Sequence, residues 1–267
     1  GVHNDARILS VDTKEIRQIL KAGEVPVITG FQGVDEGQNI TTLGRGGSDT
    51  SAVAIGGALS ADVCEIYTDV KGVYTVDPGL VSEARKLSRI SYEEMLEMAS
   101  YGAKMNPRSI ELGLVYDMPI YVASSFSNAT GTLIHGGEHT MEVRKAVTGI
   151  AVDQNVGKIT VRGVIDQPGV AAGLLQPLAD AGVSVDVIVQ NASSDGTTDF
   201  TFTVALASVE QAAEVIENDS LVKYTEVVTG SNLAKVSVVG TGMENAPGYV
   251  QWNIALYDDD VFWLVPG

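Results

Sequence analysis

A glycine-rich segment that runs directly into an apolar segment constrains the fold of this chain more than any other feature. Residues 42–52 read TLGRGGSDTSA, and the apolar run Ala52–Ala58 follows at once. Glycines let the backbone come close to a ligand, and their amides can point inward together. Ser48 or Asp49 can cap a following helix, whose free N–H groups attract anions. We therefore predict an anion-binding turn between a loop and a helix. An ordinary glycine-rich loop before a capped helix is the alternative.

The charge of the chain determines how an anion would have to be attracted. Lysine and arginine total 17 against 34 aspartate and glutamate residues, for a net charge of −17. Such an acidic surface disfavours binding to nucleic acid and to anionic membranes. Attraction to an anionic ligand must therefore be local, from aimed amides and from the cations Arg45, Lys71, Lys104 and Arg108. The planar fork of Arg45 suits a carboxylate or a phosphate.

The first half of the chain alternates between apolar strands and helical patterns. Apolar spacing predicts helices over Val11–Ala22, Thr50–Leu59, Ser91–Ser100 and Arg108–Tyr116, and strands over Val25–Thr29, Cys64–Thr68 and Pro119–Ala123. The polar, glycine-bearing stretch Gln32–Asn39 predicts a loop. Ser91 with Glu94 three positions later predicts a capping box at the start of one helix. Strands that alternate with helices favour an α/β fold with a mostly parallel sheet.

A different pattern begins near Thr148. Strands are predicted over Lys158–Val164, Val183–Gln190, Thr197–Ala205 and Tyr224–Val228, and helices over Gly169–Asp180 and Val209–Asn218. This order, βαββαβ, is that of a ferredoxin-like unit. A weak internal repeat follows, because a strand at Val236–Val239 again precedes a Pro-Gly turn at Pro247.

Several motifs resemble one family in their order along the chain. The segment TLGRGGSDTSA resembles the signature of aspartate kinases within the amino acid kinase family, and further matches are residues 30–33, 67–75, 77–78, 90–95, 102–104 and 107–109. From Gly149 onward the chain resembles the ACT repeats of that family. The resemblance implies a partial amino acid kinase domain, with a mostly parallel sheet and helices on both faces, followed by ferredoxin-like ACT domains. The expected divisions are 1–147 for the kinase part, 148–232 for a first ACT domain and 233–267 for a partial, divergent second one.

The resemblance also implies an activity. Aspartate kinases transfer a phosphoryl group from ATP to the β-carboxylate of L-aspartate and form 4-phospho-L-aspartate under feedback control. The family's opening strand and its Lys-Phe-Gly-Gly motif have no counterpart here, so we expect an incomplete form with weak or no activity on its own. A non-catalytic, amino-acid-binding regulatory subunit is the alternative. A kinase acting on glutamate or carbamate is a third reading, against which the ACT repeats and Gly44–Asp49 argue.

Residue roles follow from the resemblance. Arg45 and Ser48 would contact aspartate, Gly46 and Gly47 would supply amides, and Asp49 and Lys104 would be catalytic. The nucleotide would be held by Thr68, Asp69, Tyr74, Asp77 and Lys104, with Mg²⁺ arriving on the ATP phosphates. The structural alternatives are an N-cap role for Asp49, a plain turn at Asp77–Gly79 and a surface position for Lys104.

The ACT region is expected to bind an effector amino acid, lysine or threonine or both. The candidate residues are Asp166, Pro168, Gly169, Val170, Ala171, Ser184, Asp186 and Gln190. The helix after Gly169 could take the effector's carboxylate, and Asp166 or Asp186 its ammonium. A plain turn and strand edge is the alternative. Homo-oligomerisation through the ACT domains is the expected assembly.

The remaining sequence features bear on compartment and metal. Cys64 is the single cysteine, so no internal disulfide can form, and His3, His135 and His139 share no metal-ligand spacing with it. No basic-then-apolar signal peptide opens the chain, and no apolar run approaches the roughly 18 residues of a membrane span. We therefore expect a cytoplasmic protein without a protein-held metal.

Overall fold

The computed structural model describes residues 6–100, 103, 105–136, 147–192, 196–219, 222–240 and 253–257. These residues form two compact units. The first contains the described residues up to Ala151 together with 238–240, and the second contains Val152–Ser237 together with 253–257. The expected domain divisions at 147 and 232 stay a prediction.

The first unit is a mixed α/β structure. Its helices are α1 (Lys14–Lys21), α2 (Gly47–Leu59), α3 (Tyr92–Ser100) and α4 (Pro107–Tyr116). Its strands are β1 (Gln32–Val34), β2 (Ile40–Thr42), β3 (Cys64–Thr68), β4 (Arg89–Ser91), β5 (Ile120–Ser124) and β6 (Thr132–His135). Strands β1 and β2 form a hairpin, and the other four form one sheet in the order β3-β5-β6-β4. Strands β3 and β5 run parallel, as do β4 and β6, whereas β5 and β6 are antiparallel.

One apolar cluster joins three helices to this sheet. Strand residues Cys64, Ile120 and Ile134 pair side by side and point the same way. They pack with Val53 of α2 and Ile110 of α4, and α3 adds Met95 and Met98. Burying aliphatic side chains of this size stabilises a fold by about 1.5–3 kcal/mol each. The predicted capping box of α3 is present, since the Ser91 and Glu94 side chains each bond the other's backbone N–H at 3.2 Å.

The second unit contains the predicted ferredoxin-like order. Strand β7 (Gly149–Ile165) is followed by α5 (Val170–Asp180), β8 (Val185–Ala192), β9 (Thr197–Ala205), α6 (Val209–Asp219) and β10 (Glu226–Val239). A fifth strand, β11 (Asn253–Tyr257), pairs antiparallel with β10, and the sheet order is β11-β10-β7-β9-β8. Both helices pack on one face, where Leu174, Leu178 and Ile216 bury against Phe200 and Phe202. The α/β class and the βαββαβ order are thus confirmed.

Two local predictions were wrong. Val25–Thr29 is not a strand, and the side chains of Val25 and Val27 are 86% and 97% exposed. Apolar, β-branched residues fit a pleated surface, but a strand exists only where a neighbouring backbone pairs with it. The polar loop expected over residues 32–39 instead carries β1, which pairs with β2 through Gln32 and Thr42. No helix among the described residues has both the length and the apolar character needed to cross a membrane.

Candidate functional site

The glycine-rich segment forms a left-handed turn that leads into α2. Gly44 and Gly46 have φ values of +81° and +73°, a region that glycine enters at little cost. Helix α2 begins at Gly47, and Gly46 is its N-cap without any side-chain cap. The prediction that Ser48 or Asp49 caps the helix was therefore wrong, because the helix starts two or three residues earlier than their positions require. The turn before a helix N-terminus was predicted correctly.

Charged and polar side chains of this turn remain available to a ligand. Arg45 and Ser48 are exposed, and their side chains make no hydrogen bond or ion pair within the part of the chain that the structure describes. Asp49 lies in the first turn of α2 and is partly buried, and burial raises the pKa of its carboxyl. The first N–H groups of a helix lack intrahelical acceptors. The turn therefore combines a guanidinium, a hydroxyl and backbone donors suited to an anion.

The N-terminus of α4 holds this turn from the other side. The Asn106 side chain caps α4 by accepting from Arg108 N at 2.9 Å, and its Nδ2 donates to the Arg45 carbonyl at 3.0 Å. The Arg108 guanidinium donates to the carbonyls of Leu43 and Ala6 at 2.9 and 2.8 Å. Arg108 was expected to attract an anion, whereas its guanidinium binds backbone carbonyls. The sequence did not predict the contacts of Asn106 and Arg108 with these carbonyls, because the partners are 61 to 102 residues away.

The predicted nucleotide residues lie at and beyond the carboxyl end of β3. Thr68 ends β3 and pairs with Ser124, the last residue of the parallel strand β5. The Thr68 hydroxyl donates to Asp69 at 3.1 Å. Ligands of open α/β sheets bind at the carboxyl ends of parallel strands, so Ser124 belongs to the same edge. The sequence analysis did not select Ser124. A usable signal was present, because Ser124 is a polar residue at the end of a predicted strand, as Thr68 is.

Tyr74 and Asp77 lie on the loop between β3 and β4. Tyr74 forms an antiparallel bridge with Lys86, and Thr75 N donates to Arg85 O at 2.8 Å. The exposed Asp77 accepts from Gly79 N at 2.8 Å, so its carboxylate stabilises its own turn. That geometry agrees with the plain-turn alternative and leaves a nucleotide role of Asp77 as a prediction. Lys104 lies outside the described residues.

The predicted effector residues fall at the two ends of the ACT-like sheet. The turn from Asp166 to Gly169 precedes α5, and Gly169 is its N-cap at a φ of +91°. Gln190 pairs with Phe200, toward this end of the sheet, since Ile165 pairs with Thr197. Four residues separate Asp186 from Gln190, about 13 Å along a strand.

The start of β8, with Ser184 and Asp186, therefore lies toward the opposite end. Within one unit the structure does not bring the whole predicted set together. The Asp186 carboxylate bonds to the ammonium of Lys235, whose side chain is only 8% exposed. The Asp186 side chain is half exposed, so a ligand ammonium could approach its carboxylate but would share that charge with Lys235.

The single cysteine is a core residue. Cys64 is 8% exposed, and burial, aided by the charges of Asp49 and Glu65, raises the pKa of its thiol to about 11. A thiol nucleophile would need the opposite shift. Across the described ranges, no three histidine, cysteine, aspartate or glutamate side chains are grouped so that they could hold a metal ion.

Comparisons with known proteins agree with these two units. Residues 1–124 match the amino acid kinase family, and residues 159–219 match the ACT domain. An aspartate kinase of Pseudomonas putida is 50% identical over 248 residues, covering 92% of this chain and 60% of its own length.

Two solved structures are similar over most of the chain. E. coli aspartokinase III in complex with aspartate and ADP has a TM-score of 0.69 at 30% identity, covering 88% of this chain and 53% of its own. The same enzyme with lysine and aspartate has a TM-score of 0.64 at 29% identity, covering 93% and 57%. This chain thus spans about 60% of the length of the curated relatives it matches. Residues 1–124 thus match the amino acid kinase family, residues 159–219 match the ACT domain, and the chain is similar over nearly all of its length to aspartate kinases.

Proposed function

We propose that this chain is the aspartate- and nucleotide-binding part of an aspartate kinase, joined to a regulatory ACT domain. The observation that carries the proposal is the turn Gly44–Asp49, where an exposed guanidinium and hydroxyl stand at the start of α2. Relatives named aspartate kinase support it, as does a structural neighbour that binds aspartate and ADP. Because the chain spans only part of those relatives, the activity is assigned to the whole protein.

Phosphoryl transfer asks a protein to position two anions and to neutralise the charge that moves between them. In the proposed role, Arg45 and Ser48 bind the aspartate carboxylates, and the Gly46 amide donates to an anionic oxygen. The Gly47 amide, which was expected to do the same, instead donates to Gly44 O at 3.0 Å within the turn. Asp49, at the start of α2, orients the catalytic lysine, a role we give to Lys104. ATP is the phosphoryl donor, and Mg²⁺ enters on its phosphates.

The nucleotide is proposed to occupy the carboxyl edge of β3 and β5. Thr68, Asp69 and Ser124 provide hydroxyl and carboxylate groups there, and Tyr74 and Asp77 come from the following loop. Since the reaction consumes ATP, a cytoplasmic location is the corresponding expectation. Transfer to the β-carboxylate gives 4-phospho-L-aspartate, the first intermediate toward lysine, threonine and methionine.

Regulation is proposed to act through the βαββαβ unit. A structural neighbour that binds lysine supports an amino acid effector, and threonine is the other candidate. The turn 166–171 offers the N-terminus of α5 to a carboxylate. Because Asp186 and the turn lie at opposite ends of one unit, a complete effector site requires a second ACT unit. We therefore propose assembly of copies through the exposed edge strand β8.

The test is formation of aspartyl hydroxamate from ATP, Mg²⁺, aspartate and hydroxylamine, with glutamate as the competing acceptor. Calorimetry with aspartate, ADP, lysine and threonine is run on the same preparation. Hydroxamate from aspartate and not from glutamate supports the kinase. The second candidate function is that of a regulatory subunit, and the ACT domain match favours it. Binding of lysine or threonine, without binding of aspartate or ADP, would support that second candidate. No response to any of these ligands would contradict both.

A further inference from the structure

The turn at Gly44–Gly47 is held mainly by groups outside itself. Two of its residues have positive φ, its N-cap offers no side chain, and glycine loses more backbone freedom on folding than other residues. Within the turn, Gly47 N donates to Gly44 O at 3.0 Å. The carbonyls on either side of Gly44, those of Leu43 and Arg45, are bound by Arg108 and Asn106.

Holding these two carbonyls also aims two N–H groups. A trans peptide is planar, so the N–H of one residue points opposite to the carbonyl of the residue before it. With the Leu43 carbonyl directed at Arg108, the Gly44 N–H points away from α4. The same reasoning directs the Gly46 N–H away from Asn106. Neither N–H has an acceptor among the residues that the structure describes.

We propose that Asn106, with Arg108, is a positioning residue that aims the Gly44 and Gly46 amides at a carboxylate or phosphoryl oxygen. Two backbone donors that both point away from α4 can together bind one anion. Close packing of Asn106 against the turn supports the assignment, because a Cβ added to Gly46 would lie only 2.9 Å from Asn106 Nδ2. The identity of the anion rests on the proposed function, whereas the aiming itself does not.

One substitution separates this role from simple helix capping. Asn106→Ser keeps a cap acceptor for α4, but the shorter side chain cannot reach the Arg45 carbonyl. Asn106→Ala removes both contacts. Ser91→Ala is the matched control, because it removes a comparable cap from α3 without touching the turn. Arg108→Lys is a second probe, since a single ammonium cannot replace a fork that spans the Leu43 and Ala6 carbonyls.

The first readout is amide hydrogen exchange of residues 43–47, measured by mass spectrometry on the full chain. The signal comes from the Leu43 and Gly47 amides, which donate to Phe31 O and Gly44 O. We expect Asn106→Ser and Arg108→Lys to speed exchange of this turn about tenfold, with exchange in α4 unchanged for Asn106→Ser. Ser91→Ala should leave the exchange rate of residues 43–47 unchanged. Unchanged exchange at 43–47 in Asn106→Ser overturns the proposal whatever ligand the protein binds.

The second readout is calorimetric affinity. Asn106→Ser should weaken aspartate binding about tenfold and change ADP binding less than twofold. Equal loss of both ligands, or a loss that Ser91→Ala reproduces, overturns the positioning role. If the unsubstituted chain binds no aspartate while exchange at 43–47 responds as expected, the proposed function is wrong, whereas the positioning role of Asn106 is retained.

Discussion

The Ser51 hydroxyl accepts a hydrogen bond from the Phe31 N–H at 3.0 Å and donates to Gly47 O at 2.9 Å. Phe31 has a φ of +72°, a strained value for a bulky residue. Its carbonyl accepts from Leu43 N at 2.9 Å, and its ring lies against Gly47, where an added Cβ would come within 3.2 Å. Ser51 thus connects a strained residue before β1 to the first turn of α2.

Ser51→Ala should lower the free energy of unfolding by about 1–3 kcal/mol, because it leaves the Phe31 N–H without its acceptor beside a strained backbone. Urea denaturation followed by circular dichroism measures this. Ser82→Ala is the control, since that exposed hydroxyl donates to the carboxylate of the adjacent Glu83. A loss for Ser51→Ala no larger than that of the control would show that Phe31 keeps its conformation without Ser51.

Sequence reasoning succeeded where the determining contacts are local. The capping box of Ser91 and Glu94 spans three residues, and the alternation of Phe200 and Phe202 marks one face of β9. It failed where the partner is distant. Val25–Thr29 has the composition of a strand but no neighbouring strand in the described structure, and Arg108 reaches the Leu43 carbonyl 65 residues away. Such contacts form only when packing brings α4 against α2.

Arg45→Ala should weaken aspartate binding by about 2 kcal/mol, roughly 30-fold, because a bidentate carboxylate contact is lost. ADP affinity should stay within twofold. Calorimetry of both ligands on the full chain measures the difference. Lys21→Ala, at the exposed end of α1, removes the same charge away from the turn and should leave both affinities unchanged. Equal weakening of ADP and aspartate would remove Arg45 from the aspartate-binding role.

Gly46 and Gly169 are both N-cap glycines with positive φ, and they differ in the space around them. An added Cβ at Gly169 meets no atom within 4 Å, whereas one at Gly46 lies 2.9 Å from Asn106. Gly169→Ala should therefore cost about 1–2 kcal/mol from backbone strain alone. Gly46→Ala should cost more, because Asn106 must move and release the Arg45 carbonyl. Denaturant unfolding of the two variants tests this order. Equal losses in the free energy of unfolding would show that Asn106 can move at no energetic cost.

Burial of Cys64 predicts a pH dependence of stability. Its thiol pKa is raised to about 11 from an ordinary 9.0, so between pH 9 and 11 the unfolded state loses this proton first. Stability from this group is complete below pH 9 and is lost as pH rises toward 11. Unfolding free energies of the unsubstituted chain and Cys64→Ala, measured from pH 7 to 11, should therefore converge as pH rises. A difference that stays constant with pH would contradict the raised pKa.

Lys235 and Asp186 form an ion pair in which the lysine is buried and the carboxylate is half exposed. Asp186→Asn should lower the free energy of unfolding by about 1–3 kcal/mol, because it removes the carboxylate that pairs with this buried ammonium. Lys235→Met should be milder, and the double variant should recover part of the loss of Asp186→Asn. Asp180→Asn is the control, as its carboxylate accepts only a neutral amide from Gln176. Strictly additive losses in this cycle would show that the pair is not coupled.

The same variants test whether Asp186 takes an effector's ammonium. In Lys235→Met the Asp186 carboxylate has lost its internal cation, so a ligand ammonium no longer shares that charge with Lys235. If Asp186 belongs to the effector site, lysine or threonine should bind this variant at least fivefold more tightly than the unsubstituted chain, by about 1 kcal/mol. Adding Asp186→Asn should abolish that gain. Unchanged affinity in Lys235→Met, with the fold intact, would leave the turn 166–171 as the effector-binding candidate and remove Asp186 from it.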